Sequence, residues 1–565
     1  MSRSPLNGEP TLPSDGIVGN ARVGDTLAGH TLASSNALVA DSFHRICQNP
    51  EVGWERLWLW GTERINPIVV KEVRQSLKSK QFTISFGLTL IAAVGWTLIA
   101  ISLMVPKIYY VPGGIQLLTG YFCILQFPLM IIIPFSAFRA LTTETEDSTF
   151  ELLSISALSA SQIVLGKMTS ALFQILLYLS ALAPCIVLTY LLRGVGLFPI
   201  LFLLGLTVAF SIAETAIALL LAAVSRARML QAGATVLLLI GLIMAYFGAT
   251  SLVVSGILDE LSNPPREIYL GIFGALTVVI MAINLVLRSA AAAIDFPSEN
   301  HSTPLRKRIL LLVGIILFWS TFGVVASRTQ EVAFVFLFGA FIVCMFIASL
   351  MTGELGIISP RARRTLPQTF SGRVFLTWFY PGAGMGYIFI VCLFGALVVT
   401  MAATEIYYSL NMQMNMGRSS IQYVGYLLLC YLTIYAGVNR LLMMGIARHV
   451  PARMLGSVAL MAVSLLVMHL VPLVIVFFFN DYREFPYDWH QAFNIIWTCE
   501  EASDGLSLPV EVSMGILTLA SIAIFGLNLV LSTRDVMLVR ITEPPRNQAE
   551  NQAPAVRPAV DPFAD

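Results

Sequence analysis

Twelve stretches of the chain are apolar and long enough to cross a bilayer. They lie at roughly 83–105, 115–138, 168–191, 200–224, 232–256, 268–288, 309–326, 332–352, 385–402, 423–446, 455–479 and 512–533. A helix needs about 20 mostly apolar residues to cross ~30 Å of hydrocarbon, and the shortest of these stretches, about 18 residues, is near the lower limit. The seventh and ninth are the weakest of the set. Hydrophobic residues make up 57% of the chain and charged ones 12%, with a mean hydropathy of +0.79. These values belong to a polytopic membrane protein rather than a soluble core.

Lysine and arginine placement tests the count, because basic residues concentrate on the cytoplasmic side of membrane proteins. One set of alternate segments carries 22 of them: Arg64, Lys71, Arg74, Lys78 and Lys80; Arg139 and Lys167; Arg226 and Arg228; Arg288, Arg306, Lys307 and Arg308; Arg361, Arg363, Arg364 and Arg373; Arg448 and Arg453; Arg534, Arg540 and Arg546. The opposite set carries six, one per loop: Lys107, Arg193, Arg266, Arg328, Arg418 and Arg483. This alternation predicts that both termini, and the polar segment at 142–167, are cytoplasmic.

That polar segment is the least lipid-compatible part of the first half. Ser148 and Glu151 fit an S-x-x-E capping box, in which hydroxyl and carboxylate each satisfy a free backbone N–H. Glu144, Glu146 and Asp147 precede it, where the helix dipole favours negative charge. Phe150, Leu152, Leu153 and Ile155 follow over about two turns, too short to span. Ser159 and Gln162 fit a second capping box that opens the third long apolar helix. The pattern is helix, break, helix, with a short amphipathic helix outside the membrane.

The order E-x-E-D-S-T-x-E-L-L over 144–153, followed by S-x-S-Q-I-V-L-G-K over 159–167, resembles type-2 permeases of ATP-binding-cassette (ABC) transporters. The stretch Asn66 to Gln75 is similar to the amphipathic connecting helix of that family. The resemblance implies that Glu144, Glu146, Asp147, Ser148, Phe150, Glu151, Leu152 and Leu153 couple to a separate cytoplasmic ATPase. It also implies that ATP and Mg are bound by that partner and not by this chain.

The chain repeats itself weakly. Ala227-Arg228-Met229-Leu230 follows the fourth apolar stretch and Ala452-Arg453-Met454-Leu455 the tenth. Asn284-Leu285-Val286-Leu287 ends the sixth and Asn528-Leu529-Val530-Leu531 the twelfth. The expected organisation is therefore all-α, about twelve transmembrane helices in two six-span halves of like orientation. The expected parts are a disordered cytoplasmic tail (1–53), a connecting amphipathic helix (54–82), a first half (83–295), a second half (296–540) and a second disordered cytoplasmic tail (541–565). The first residues, Met1 to Pro5, lack the apolar core of a signal peptide. The second-half counterpart of the acidic segment begins at Gly353-Glu354 and becomes basic and proline-broken from Ser359 to Pro367. A short interfacial helix is expected from Arg373 to Tyr380, with Phe375 and Phe379 on one side.

Several chemistries are excluded by pattern. Gly166-Lys167 is followed by Met168, with Ser at 161, so no P-loop is present. Gly382, Gly384 and Gly386 are mis-spaced for a nucleotide-binding loop and serve better as a bend into the ninth stretch. H-E-x-x-H and G-x-S-x-G are absent, no metal ligand set is apparent, and the seven cysteines form no C-x-x-C. A net charge of +1 gives no basis for nucleic-acid binding. Ionisable groups inside the apolar stretches are few: Glu214, Arg440 and His469. Burying such groups is costly, so they are candidates for function. Glu214 and Arg440 lie in the fourth span of each half and are positioned to pair between halves. One carboxylate is not the relay expected of a proton-coupled carrier.

The expectation is a non-enzymatic ABC permease subunit in the bacterial inner (plasma) membrane. Its partners are a cytoplasmic ABC ATPase and the lipid bilayer, with homo- or heterodimer assembly left open and no nucleic acid. An ATP-independent secondary transporter, or a multispan scaffold or enzyme, is the alternative. The substrate is not legible.

Overall fold

The computed structural model describes residues 67–106, 110–146, 159–192, 194–225, 228–254, 266–295, 300–327, 331–354, 369–412, 420–446, 453–479, 487–505 and 507–540. Residues 1–70 and 71–565 form separate units. The first is described only from Pro67 to Val70, and the packed bundle belongs to the second.

Every described element is helical. A short helix, α1 (Pro67–Leu77), precedes the first half. The first span is α2 (Lys80–Met104). The second is α3 (Gly114–Phe127), a π turn (Pro128–Ile132) and α4 (Ile133–Glu146) in one continuous rod. Then come α5 (Ala160–Leu191), α6 (Leu197–Val224), α7 (Arg228–Val254) and α8 (Arg266–Ile294). The second half has α9 (Ser302–Ser327), α10 (Glu331–Thr352), a short α11 (Phe370–Leu376) ending in a 3₁₀ turn (Thr377–Phe379), and α12 (Ala383–Met412). It continues with α13 (Ser420–Ile446), α14 (Arg453–Phe479), α15 (Ile495–Asp504) and α16 (Leu508–Arg540).

Among the described residues, 11 helices are long and apolar enough to cross a membrane. The seventh expected stretch, 309–326, lies within α9, just after Arg306, Lys307 and Arg308. The ninth span is longer than expected: α12 continues to Met412 and so takes in Glu405, which is 4% exposed and has Gln422 as a hydrogen-bond partner. The expected helix at 373–380 starts earlier, where the Thr369 hydroxyl accepts from the Gly372 N–H, and its last turn is 3₁₀.

The two halves pack by the same scheme. In the first, span one touches spans two and three, span two also touches three, four and five, span three touches four and six, and span four touches five and six. Each of these pairings recurs in the second half with α9, α10, α12, α13, α14 and α16 in the same places. Extensive contact between halves is that of the consecutive helices α8 and α9. Gly274 of α8 makes that approach possible, since a Cβ there would lie 2.9 Å from the Trp319 ring.

The burial pattern suits lipid rather than water. On α2 the buried residues are Ser85, Thr89, Ala93 and Ala100, while Ile84, Leu88, Ile91 and Leu98 are exposed. Apolar tails compete with Leu and Ile for contact, so helix contacts in a bilayer favour small and hydroxyl side chains. Two hydroxyl pairs stitch this face: Ser85 Oγ with Tyr178 Oη, and Thr97 Oγ1 with Tyr121 Oη, each at 2.6 Å.

Residues 487–505 are described and are partly helical. A 3₁₀ turn (Trp489–Gln491) and α15 sit over the second half. Tyr431 and Tyr435 of α13 donate to the carbonyls of Ala492 and Phe493, the latter at 2.8 Å. Tyr487 donates to Ser513 at 2.9 Å. This cap lies at the end opposite the basic residues, which yields a topology prediction. Cysteines replacing Tyr110 and His490 should react with an impermeant maleimide in intact cells, and those replacing Phe150 and Arg363 only after lysis. Labelling at 150 from outside would reverse the orientation.

Candidate functional site

The residues of the expected coupling segment divide sharply. Asp147, Ser148, Phe150, Glu151, Leu152 and Leu153 lie outside the described residues, and Glu146 is the last residue of α4. Glu144 is described, and its surroundings are not legible in the sequence. Lys167, on the second turn of α5, is 3% exposed. Its ammonium is 2.9 Å from Glu144 Oε1 and 3.4 Å from Glu72 Oε2, and it donates to the Ala140 carbonyl at 3.3 Å. An ammonium has three donors, and all three are used.

Each partner arrives by an identifiable local cause. On α1 the exposed residues are Lys71, Arg74 and Gln75, which leaves Glu72, Val73, Ser76 and Leu77 on the inner face. Glu72, at 8% exposure, is the most buried of these. Ser170, one turn beyond Lys167, donates to Ser76 Oγ at 2.8 Å and fixes the register of α1 on α5. The α5 end is set by the second expected capping box: the Ser159 N–H donates to Gln162 Oε1 at 2.9 Å. The triad therefore ties the helix before the first span to the two helices that flank residues 147–158.

The second half has a counterpart built from different parts. Arg306 of α9 is 1% exposed, and its Nη2 lies 2.5 Å from Glu354 Oε2, just beyond α10. Its guanidinium also donates to the carbonyls of Trp378 (2.7 Å), Tyr380 and Gly382 (3.3 Å). Glu354 in turn accepts from the Gly382 N–H at 3.2 Å and from the Ser302 hydroxyl. Gly382 has φ 142°, a conformation that a side chain rarely adopts, which lets both its N–H and its carbonyl face the ion pair. The expected glycine bend is thus also a binding surface for Arg306. Both halves place a carboxylate at the basic end of their second span, Glu144 after Thr142-Thr143 and Glu354 after Thr352-Gly353. The cation comes from the third span in one half and the first in the other.

The intramembrane candidates are not brought together. Arg440 is 2% exposed and donates to Asn528 Oδ1 (3.0 Å), the Asn528 carbonyl (3.0 Å) and Ser532 Oγ (2.9 Å), all on α16 of its own half. Glu214 lies in the other half on α6, with both carboxyl oxygens buried and no hydrogen-bond partner among the described residues. The expected cross-half pair is replaced by a within-half bond for Arg440. His469 is partly buried, with Nδ1 2.7 Å from the Leu465 carbonyl one turn back on its own helix. No group of three or more His, Cys, Asp or Glu suited to a metal ion occurs among the described residues.

Glu72, Lys167, Arg306 and Glu354 do not stand out as a site in the sequence. The available signal for Lys167 is an isolated charge on the second turn of an otherwise apolar helix; Arg306 stands beside Lys307 and Arg308 and has no such signal. The fold and this site define a polytopic α-helical membrane protein with a buried ion pair at the basic end of each half. Compared with protein-family models, curated proteins and solved structures, the chain matches none.

Proposed function

We propose that this chain is the transmembrane permease of an ABC transporter, resident in a bacterial plasma membrane and driven by a separate cytoplasmic ATPase. The sequence resemblance over 144–167 and 66–75 motivates this reading, and one structural observation supports it most. Lys167 bonds Glu72 and Glu144 together, so a push on the 147–158 segment reaches α1, the second span and the third span as one body. Buried ion pairs fix geometry more than they add stability, which suits a part that transmits force. The permease moves its substrate by alternating access, and ATP hydrolysis occurs in the partner.

The test is Leu153→Asp, which places a charge on the proposed docking face. An ATPase should copurify with the wild type in mild detergent, and its turnover should respond to the permease. The variant should lose most of that response, about tenfold or more, with normal abundance and topology. That figure corresponds to about 1.4 kcal/mol of docking energy, above the ~1 kcal/mol that only a minority of interface residues exceed. Unchanged copurification and turnover would reduce the segment to an interfacial helix. An ATP-independent carrier is the second reading. The buried carboxyl of Glu214 favours it, and purification of a transport-competent protein without any ATPase would select it.

A further inference from the structure

Glu214 lies ten residues before the last residue of α6, about 15 Å along the helix from its basic end. Its two carboxyl oxygens are each buried and have no hydrogen-bond, ion-pair or electrostatic partner among the described residues. The helix packs against the π turn at Pro128–Ile132, against α4 and α5, and against α7 and α8. A π turn shifts the backbone hydrogen-bond register and often marks a functional position. Here the Leu129 carbonyl is taken by Ser211, one turn before Glu214, at 2.6 Å. Thr215, the next residue, donates back to the Ser211 carbonyl at 2.7 Å. The polar groups on either side of Glu214 are therefore satisfied, and neither donates to it.

The titratable side chains on the surrounding helices are committed elsewhere or stand at helix ends. Lys167 and Glu144 hold each other, and Tyr121 and Tyr178 hold Thr97 and Ser85. Tyr246 donates to the Cys123 carbonyl at 3.4 Å. Arg139 is ten residues beyond Leu129, toward the basic end of α4, and Arg288 is an exposed residue in the last turns of α8. Arg228, Arg266 and Glu267 begin α7 and α8, and Tyr190 and Tyr269 are exposed near helix ends. Cys185 is a free thiol on α5. None of these is a cation able to neutralise a carboxylate at the level of Glu214.

An ionised carboxylate without a donor or counter-ion costs far more to bury than a neutral acid. We propose that Glu214 is a proton-binding site, its carboxyl held as the neutral acid at mid-span of the first half beside the π turn. The fourth span of the second half offers no equivalent. Its ionisable group is Arg440, satisfied by Asn528 and Ser532.

The test uses full-length protein in native membranes and the lipid-soluble reagent dicyclohexylcarbodiimide at neutral pH. The acid O–H adds across one C=N bond, oxygen joining carbon and the proton joining nitrogen. The acyl group then migrates to nitrogen to give a stable N-acylurea, with no leaving group. Mass mapping should find the adduct on Glu214, and Glu214→Gln should remove it. Infrared difference spectra of the wild type against Glu214→Gln decide the protonation state whether or not the reagent reaches the residue. Loss of a protonated-carboxyl C=O band in the variant is the expected result, and loss of a carboxylate band instead overturns the proposal.

Discussion

Replacing Lys167 with methionine should cost about 3–5 kcal/mol, because it leaves buried Glu72 and partly buried Glu144 without their shared cation. The loss should appear as a marked fall in the thermal midpoint of the purified protein in detergent. The same variant carrying Glu72→Gln and Glu144→Gln should recover most of it, since neutral groups of similar shape replace a buried ionic cluster at little cost. Function separates from stability in this pair. The triple variant should stay uncoupled from a copurified ATPase although it is folded, because neutral side chains no longer bind α1 to α4 and α5 as one body. A triple variant that couples normally would mean the cluster is only packing.

Arg306→Met should be as damaging, again about 3–5 kcal/mol, with a more local signature. It strips Glu354 of its counter-ion and leaves the carbonyls of Trp378, Tyr380 and Gly382 without their donor. The 377–382 turn should then detach from α9. Thr377, 5% exposed, is the reporter: a cysteine there should react slowly in the wild-type background and much faster with Arg306→Met. Arg306→Lys should fall between, because a single ammonium cannot reproduce the spread of donors a guanidinium presents. Equal reactivity in all three would show that the turn is held by other contacts, chiefly the 3.0 Å bond from Thr303 Oγ1 to the Phe379 carbonyl.

Hydropathy is enough to place the 11 long apolar helices, because each must be about 20 residues of apolar helix whatever its neighbours are. Helix ends are less legible. α12 extends ten residues past its expected end at 402: Thr404 bonds back to the Thr400 carbonyl of its own helix, and Glu405 finds Gln422 on α13. The ion pairs are illegible for a physical reason. Lys167 and Glu72 are 95 positions apart, and each taken singly looks like a charge at the membrane surface, where Lys and Glu are ordinary. Arg306 counts among the basic residues that orient the chain, and nothing local distinguishes it from Lys307 and Arg308. The Gly382 bend is visible as glycine spacing, but its role as an acceptor for Arg306 depends on α9, 76 residues earlier. Glu214 is conspicuous in the sequence, whereas its lack of a partner among the described residues can be learned only once the facing helices are in place.

The closed packing of each half bears on how the chain is assembled at the ribosome. A protein made from its N-terminus tends to fold domain by domain as it emerges. Among the described residues the first six spans make extensive contact with the second half only along α8, so most of their bundle can form before α9 is synthesised. Within it, Glu72 is made long before its cation and stays unpaired until Lys167 follows 95 residues later. Arg306 waits only 48 residues for Glu354. Insertion thus passes through two successive neutralisations, one after 95 residues and one after 48, each made while its own half is still being synthesised.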